Sequence, residues 1–143
     1  MSIFSTGPCV TTVPLLCAPV AAGFPSPAQD EVTEQLNLEH LLIEHPEATF
    51  FWRVAGCSME GMGIHDGDLL VVDRAVVPRQ GHIVVAALDG GFVVKQIVHR
   101  QKSLILRSAH PDYPEIRVAE GQELVIWGVV TWSVHRVAGK TLR

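Results

Sequence analysis

The first 29 residues contain no aspartate, glutamate, lysine or arginine, and Asp30 is the first charged side chain. A secretory leader is therefore not expected, because no positive residue precedes an apolar stretch. Pro8, Pro14 and Pro19 would also interrupt any helix there. Cysteine is scarce: Cys9, Cys17 and Cys57 make an odd number, with no Cys-x-x-Cys pair and no Cys/His cluster at zinc spacing. This argues against a disulfide framework or a metal site and fits reduced thiols in a cytoplasmic protein. No apolar run reaches the ~18 residues of a membrane span. Positive charge is also short, with 11 Lys and Arg against 15 Asp and Glu, a net charge of −4 and a pI of about 5.9. That excludes a protein that grips nucleic acid through a basic face, so any link to DNA is expected to run through a protein partner. No cofactor is expected.

What is present is enough apolar material for a core. The chain has 143 residues, 48% of them hydrophobic and 18% charged, which suits one folded domain and an arm rather than a disordered chain. Residues 1–25 form the expected arm, extended by four prolines and loosened by Gly7 and Gly23. Such a segment is flexible or lies as a strand against something else. Ser26-Pro27-Ala28-Gln29 reads as a helix start, with Ser26 as N-cap and Gln29 as its capping-box partner, and predicts a short helix over 27–35. Asn37 can cap a second helix, Leu38 to Glu44, ended by His45-Pro46.

Beyond Pro46 the pattern changes to short strands rich in Val, Ile, Leu and aromatics. They are predicted at Thr49–Val54, Asp68–Asp73, His82–Ala87, Phe92–Val98, Ser103–Leu106 and Leu124–Val137. Turns fall at Asp66-Gly67, Asp89-Gly90-Gly91 and His110-Pro111. The last run is too long for one flat strand, and Gly128 marks a bend or bulge in it. The expected fold is a compact, mostly β domain with one or two short helices behind a flexible N-terminal arm.

Two residues stand out chemically. Ser58 lies in Val54-Ala55-Gly56-Cys57-Ser58-Met59, just beyond a strand, where Gly56 permits a sharp turn. Backbone N–H groups at Ser58 and Met59 could act there as oxyanion donors. A serine hydroxyl is a poor nucleophile until a base takes its proton. The seven histidines, at 40, 45, 65, 82, 99, 110 and 135, share no motif with Ser58 and read as surface or satisfied side chains. Lys95 differs. In Gly91-Phe92-Val93-Val94-Lys95-Gln96-Ile97-Val98 it shares one strand face with Val93 and Ile97. A lysine there is costly, and desolvation lowers its pKa, leaving a neutral amine able to accept the serine proton. The competing reading puts Lys95 on a solvated face, with Phe92, Val94 and Gln96 inward. Cys57, beside Ser58, reads as a small structural residue that points elsewhere.

The longer strings carry a resemblance. Gly56-Cys57-Ser58-Met59-Glu60-Gly61-Met62-Gly63-Ile64-His65-Asp66-Gly67-Asp68-Leu69-Leu70-Val71-Val72-Asp73 resembles the nucleophile segment of the LexA/UmuD family of self-cleaving serine peptidases. Gly81-His82-Ile83-Val84-Val85-Ala86 with Phe92-Val93-Val94-Lys95 resembles its lysine segment. Ala22-Gly23-Phe24-Pro25-Ser26-Pro27-Ala28 resembles the scissile region of its UmuD-like branch. Only 22 residues precede Gly23, without helical periodicity, so the repressor branch with its DNA-binding domain fits less well. The resemblance implies a β-clip-like peptidase domain over 49–143, a cleavage-region linker over 23–48, and an arm, 1–22, removed by cleavage at Ala22–Gly23. It implies a Ser58 nucleophile and a Lys95 general base. It also implies a homodimer, a RecA–single-stranded-DNA filament as stimulus, and a UmuC-type Y-family translesion polymerase as partner. Ala22 and Cys57 depart from the UmuD pattern, which has cysteine before the scissile bond and a polar residue before the nucleophile. Alternatives are a signal peptidase, a non-catalytic assembly subunit with a vestigial site, and a repressor fragment.

Overall fold

A computed structural model of the chain describes residues 10–25 and 32–139. The chain divides into two units between Leu42 and Ile43. Ser26, Pro27 and Gln29, the expected start of a first helix, lie outside the described residues.

In the first unit, β1 (Val13–Leu16) pairs antiparallel with β2 (Thr33–Leu36), Val13 opposite Leu36 and Leu16 opposite Thr33. The predicted helix over 27–35 is corrected here, since its last residues belong to β2. Glu34 and Gln35 are good helix formers, but propensity is a weak prior and the ladder to β1 overrides it. One side-chain bond, Thr12 Oγ1 to Gln35 Oε1 at 3.2 Å, reinforces the pair. The second helix forms as α1 (Leu38–Leu42). Asn37 caps it as expected: its side-chain oxygen accepts the His40 N–H at 3.2 Å. α1 stops two residues short of Glu44, and a 3-10 turn follows at Pro46–Ala48.

The second unit is a seven-stranded sheet. Its strands are β3 (Thr49–Arg53), β4 (Leu69–Asp73), β5 (Ile83–Leu88), β6 (Gly91–Arg100), β7 (Ser103–Arg107), β8 (Ile116–Arg117) and β9 (Leu124–Val134), in spatial order β3-β4-β9-β5-β6-β7-β8. Each described neighbouring pair is antiparallel. All six predicted strands are present with boundaries shifted by up to three residues. β8, two residues long, was not expected. β5 and β6 meet in a two-residue turn with Asp89 at φ 48° and Gly90 at φ 83°, the geometry that suits a right-twisted hairpin. β6 runs on to Arg100 because Gln101 and Lys102 form a second such turn, at φ 51° and 65°, without a glycine to signal it.

Core residues fall into two clusters. Met59, Ile64, Leu70, Val72 and Val85 form one; Val84, Ala86, Ile97, Leu106 and Val129 form the other. Residues of β5 alternate between them, as a pleated strand requires. β9 does not alternate simply. Leu124, Ile126 and then Val129 join the second cluster, while Trp127 and Val130 join the first. The three-residue step is a bulge: against β5, Gly128 pairs with Val85 and Ile126 with Ala86, leaving Trp127 extra. A second bulge leaves Thr131 extra against β4. The bend expected at Gly128 is thus a bulge next to it. Gly128 itself is buried, and a Cβ there would stand 2.7 Å from Val72 Cγ1.

Candidate active site

The loop from Val54 to Asp68 carries Ser58 between β3 and β4. Its two ends are tied, Val54 N–H to Asp68 O at 2.9 Å and Gly67 N–H to Val54 O at 2.8 Å. Gly56 turns at φ 101°, where a side chain would be strained, and its N–H is held by the Asp66 carboxylate at 2.8 Å. After Ser58, Met59 inserts into the core, 2% exposed, and Glu60–Met62 form a 3-10 turn. A clasp from beyond β7 fixes the middle of the loop. Ala109 N–H donates to Ser58 O at 2.7 Å, and Gly61 N–H donates to Ala109 O at 2.8 Å. Gly61 is required by this close approach, since a Cβ would lie 2.5 Å from Ala109 O.

Lys95 comes from the middle of β6, paired with the fully buried Val84. It is 8% exposed, so the solvated-face alternative is wrong. Its Nζ donates to Ser58 Oγ at 2.9 Å. Among the described residues no carboxylate pairs with this ammonium. Burial pushes its pKa below the ordinary lysine value, because the charged form loses more hydration than the neutral amine. Sequence spacing of 37 residues has become direct contact.

Ser58 and Lys95 open on a cavity of about 270 Å³ bordered by Trp52 and Val54 of the β3 side and by Phe92 and Val94 of β6. Trp52 is braced edge-on by Trp127 at 5.0 Å and contacts Phe92 at 4.9 Å. These stacked rings make a stiff apolar wall. Among the described residues, neither the Ser58 nor the Met59 N–H donates a hydrogen bond to a protein acceptor. Ala22 and Gly23 lie in an exposed bend of the first unit, between β1 and β2.

Cys57, read as pointing elsewhere, does not line this cavity and turns towards Tyr113. It is half-buried, with Sγ 3.8 Å from Tyr113 Oη. The Tyr113 ring stands 5.7 Å from Lys95 Nζ. The hydrogen bond to Cys57 raises the pKa of the Tyr113 phenol. Neither Tyr113 nor Ala109 was legible as part of the site, because both arrive from a loop some 50 residues downstream. Tyr113 carried one faint signal, being the only tyrosine of the chain.

The sequence matches the family described as Peptidase S24-like over residues 14–131. The chain belongs to this family. It is 45% identical over 129 residues to Protein SamA of Salmonella typhimurium, spanning 90% of this chain and 89% of SamA. It is 43% identical over 126 residues to Protein MucA of Escherichia coli, spanning 87% and 86%. A LexA repressor of Ectopseudomonas mendocina is 39% identical over 118 residues, but these cover only 57% of the repressor. The LexA/UmuD resemblance drawn from the sequence is thereby established, and this S24-like peptidase is UmuD-like in its near full-length matches. Among its described residues no helix is long and apolar enough to cross a membrane.

Proposed function

We propose that this chain is a DNA-damage-response peptidase that cleaves its own arm at Ala22–Gly23 when stimulated by a RecA–single-stranded-DNA filament. The observation that carries the reading is the 2.9 Å contact between Ser58 Oγ and a buried Lys95 that no described carboxylate neutralises. Burial shifts such a lysine towards its neutral form, whose lone pair can accept the hydroxyl proton.

Ala22 presents its carbonyl carbon to Ser58 Oγ as an extended segment in the cleft. Lys95 takes the hydroxyl proton as the new C–O bond forms. The N–H groups of Ser58 and Met59, which have no acceptor among the described residues, stabilise the oxyanion. The C–N bond to Gly23 then breaks, and Lys95 returns its proton to the leaving amine. Water, deprotonated in turn by Lys95, hydrolyses the acyl-serine and releases the arm, residues 1–22. Docking of the apolar arm excludes water from Lys95 and favours the neutral amine, so the filament acts by raising the population of the docked state. The shortened chain, as a homodimer, serves as accessory subunit to a UmuC-type translesion polymerase.

The deciding experiment incubates the purified full chain with activated filament and reads the products by mass spectrometry. Wild type yields a fragment beginning at Gly23, and Ser58→Ala and Lys95→Ala remain intact while folded. A fragment starting elsewhere rejects Ala22–Gly23. Cutting that survives either substitution rejects that residue's role. No cleavage of folded wild type at any pH leaves the non-catalytic assembly subunit as the better reading.

A further inference from the structure

A second convergence of chemically active side chains lies at the other end of the loop that holds Ser58. β4 and β9 pair with Leu69 opposite Val134. That register sets the turn before β4, with His65 and Asp68, beside His135 just past β9. Asp68 is 1% exposed. Its Oδ1 lies 2.5 Å from His135 Nδ1, and its Oδ2 lies 3.7 Å from His65 Nδ1. The two imidazoles face each other with centroids 4.6 Å apart and planes inclined by 35°. One donor atom from each of the three residues lies within 4.8 Å of the others.

One atom in this arrangement is unexplained. His65 Nδ1 is buried and has no hydrogen-bond partner among the described residues, although the ring's edge reaches solvent. Buried polar atoms are nearly always paired, and an exception calls for a bridging water or ion. The carboxylate between the rings is already oriented. Its Oδ2 accepts the His65 backbone N–H at 2.8 Å and lies 3.3 Å from the Ser133 hydroxyl. Such bonds to a ligating carboxylate fix its direction and tune its basicity.

We propose that His65, Asp68 and His135 form a binding site for a divalent transition-metal ion of the zinc class, which staples the nucleophile loop to the end of β9. Two imidazole nitrogens and one carboxylate oxygen suit Zn²⁺, Ni²⁺ or Cu²⁺, whereas Mg²⁺ and Ca²⁺ require mostly oxygen. Two ligands on one zinc stand roughly 3.4 Å apart for bonds near 2.1 Å and a tetrahedral angle. The ion therefore takes the place of the Asp68–His135 hydrogen bond and widens their 2.5 Å contact, while the donor atoms farthest apart, up to 4.8 Å, draw together by about 1.4 Å. Both histidines are nearly half exposed, at 45% and 43%, which gives the ion a route in and leaves room for water as a further ligand.

The test uses the full chain freed of metal with a chelator and titrated with zinc chloride in a calorimeter. One ion binds per chain, and zinc raises the thermal midpoint, reversibly on adding chelator. His65→Ala weakens binding at least tenfold. It lowers the metal-free midpoint only slightly, because among the described residues the His65 ring makes no hydrogen bond and loses only its contacts with His135 and Asp68. His135→Ala weakens binding equally, and His99→Ala, on the surface of β6, binds as wild type. Magnesium gives no saturable heat. The proposal is overturned if zinc gives no saturable binding, or if His65→Ala binds as tightly as wild type, which would place the ion elsewhere or leave a bridging water as the partner of Nδ1.

Discussion

Replacing Gly61 by alanine tests how the nucleophile is held. The new Cβ would stand 2.5 Å from Ala109 O, where ordinary contact begins near 3.4 Å. Relief needs a shift of about 0.9 Å, and a backbone oxygen cannot swing away as a side chain can. Moving Ala109 O back by that much stretches Gly61 N–H···O from 2.8 Å to about 3.7 Å, outside hydrogen-bond range. Losing one or both bonds of the clasp costs about 1 kcal/mol each, and overpacking adds ~1–3 kcal/mol. Gly61 is not in the left-handed region, so alanine also stiffens the unfolded chain and returns ~0.4–1 kcal/mol. The net expectation is a destabilisation of roughly 1–4.5 kcal/mol, measured by urea denaturation, with a thermal midpoint lower by roughly 5–20 °C. Cleavage should suffer more than stability. The same clasp holds Ser58 O, and a misplacement near 1 Å can cost ~100-fold in rate. Self-cleavage followed on gels under conditions where the variant stays folded should fall by about that factor. A Gly61→Ala protein with wild-type midpoint and wild-type cleavage refutes the idea that this contact positions Ser58.

Self-cleavage without filament should rise about tenfold per pH unit and level off below 10.5, the ordinary lysine value, because burial lowers the pKa of Lys95; a flat profile sinks the lysine base. Since the folded chain releases this proton at lower pH than the unfolded chain, Lys95 adds stability as pH rises between the two values. Lys95→Met should accordingly abolish cleavage yet unfold in urea no earlier than wild type at neutral pH, and a clearly earlier transition would contradict the burial argument. The His45 pKa is raised by its hydrogen bond to Asp73, 2.6 Å away, so its contribution is complete below 6.5 and fades as pH rises through the higher folded value. Wild type should lose urea resistance across that window and His45→Gln should not; parallel curves would dismiss the pair as a stabilising contact. Gly128→Ala should cost ~1–3 kcal/mol by overpacking against Val72, and a neutral result in chemical denaturation would show that β9 can move away.

The sheet was legible where burial on both faces produces runs of Val, Ile and Leu, as in Leu69–Val72 and Ile83–Ala87. Turn residues bounded these strands, and the Gln101–Lys102 turn escaped notice because neither residue advertises a positive φ. β1 and β2 were not legible as a pair. Each has only four residues, and the ladder joins positions some 20 apart. Ser58 and Lys95 could be found because each violates its surroundings, a hydroxyl on a glycine turn and a cation among aliphatics. Tyr113, Ala109 and the His65–Asp68–His135 convergence violate nothing locally. They acquire meaning only when the register of β4 against β9, or the clasp at Gly61, brings distant segments together.

The two bulges of β9 have a consequence for how this chain can change length. In a regular strand, deleting one residue transfers every later side chain to the opposite face. β9 already holds two surplus residues, Trp127 and Thr131, each unmatched on one neighbouring strand. Between them the strand runs half a pleat out of step with its own ends. Losing one surplus residue closes a bulge locally, and an insertion beside one only enlarges it. β9 thus works as an expansion joint inside the sheet, between β4 and β5: it can absorb a change of one residue while β5 and β6, and with them Lys95, keep their register.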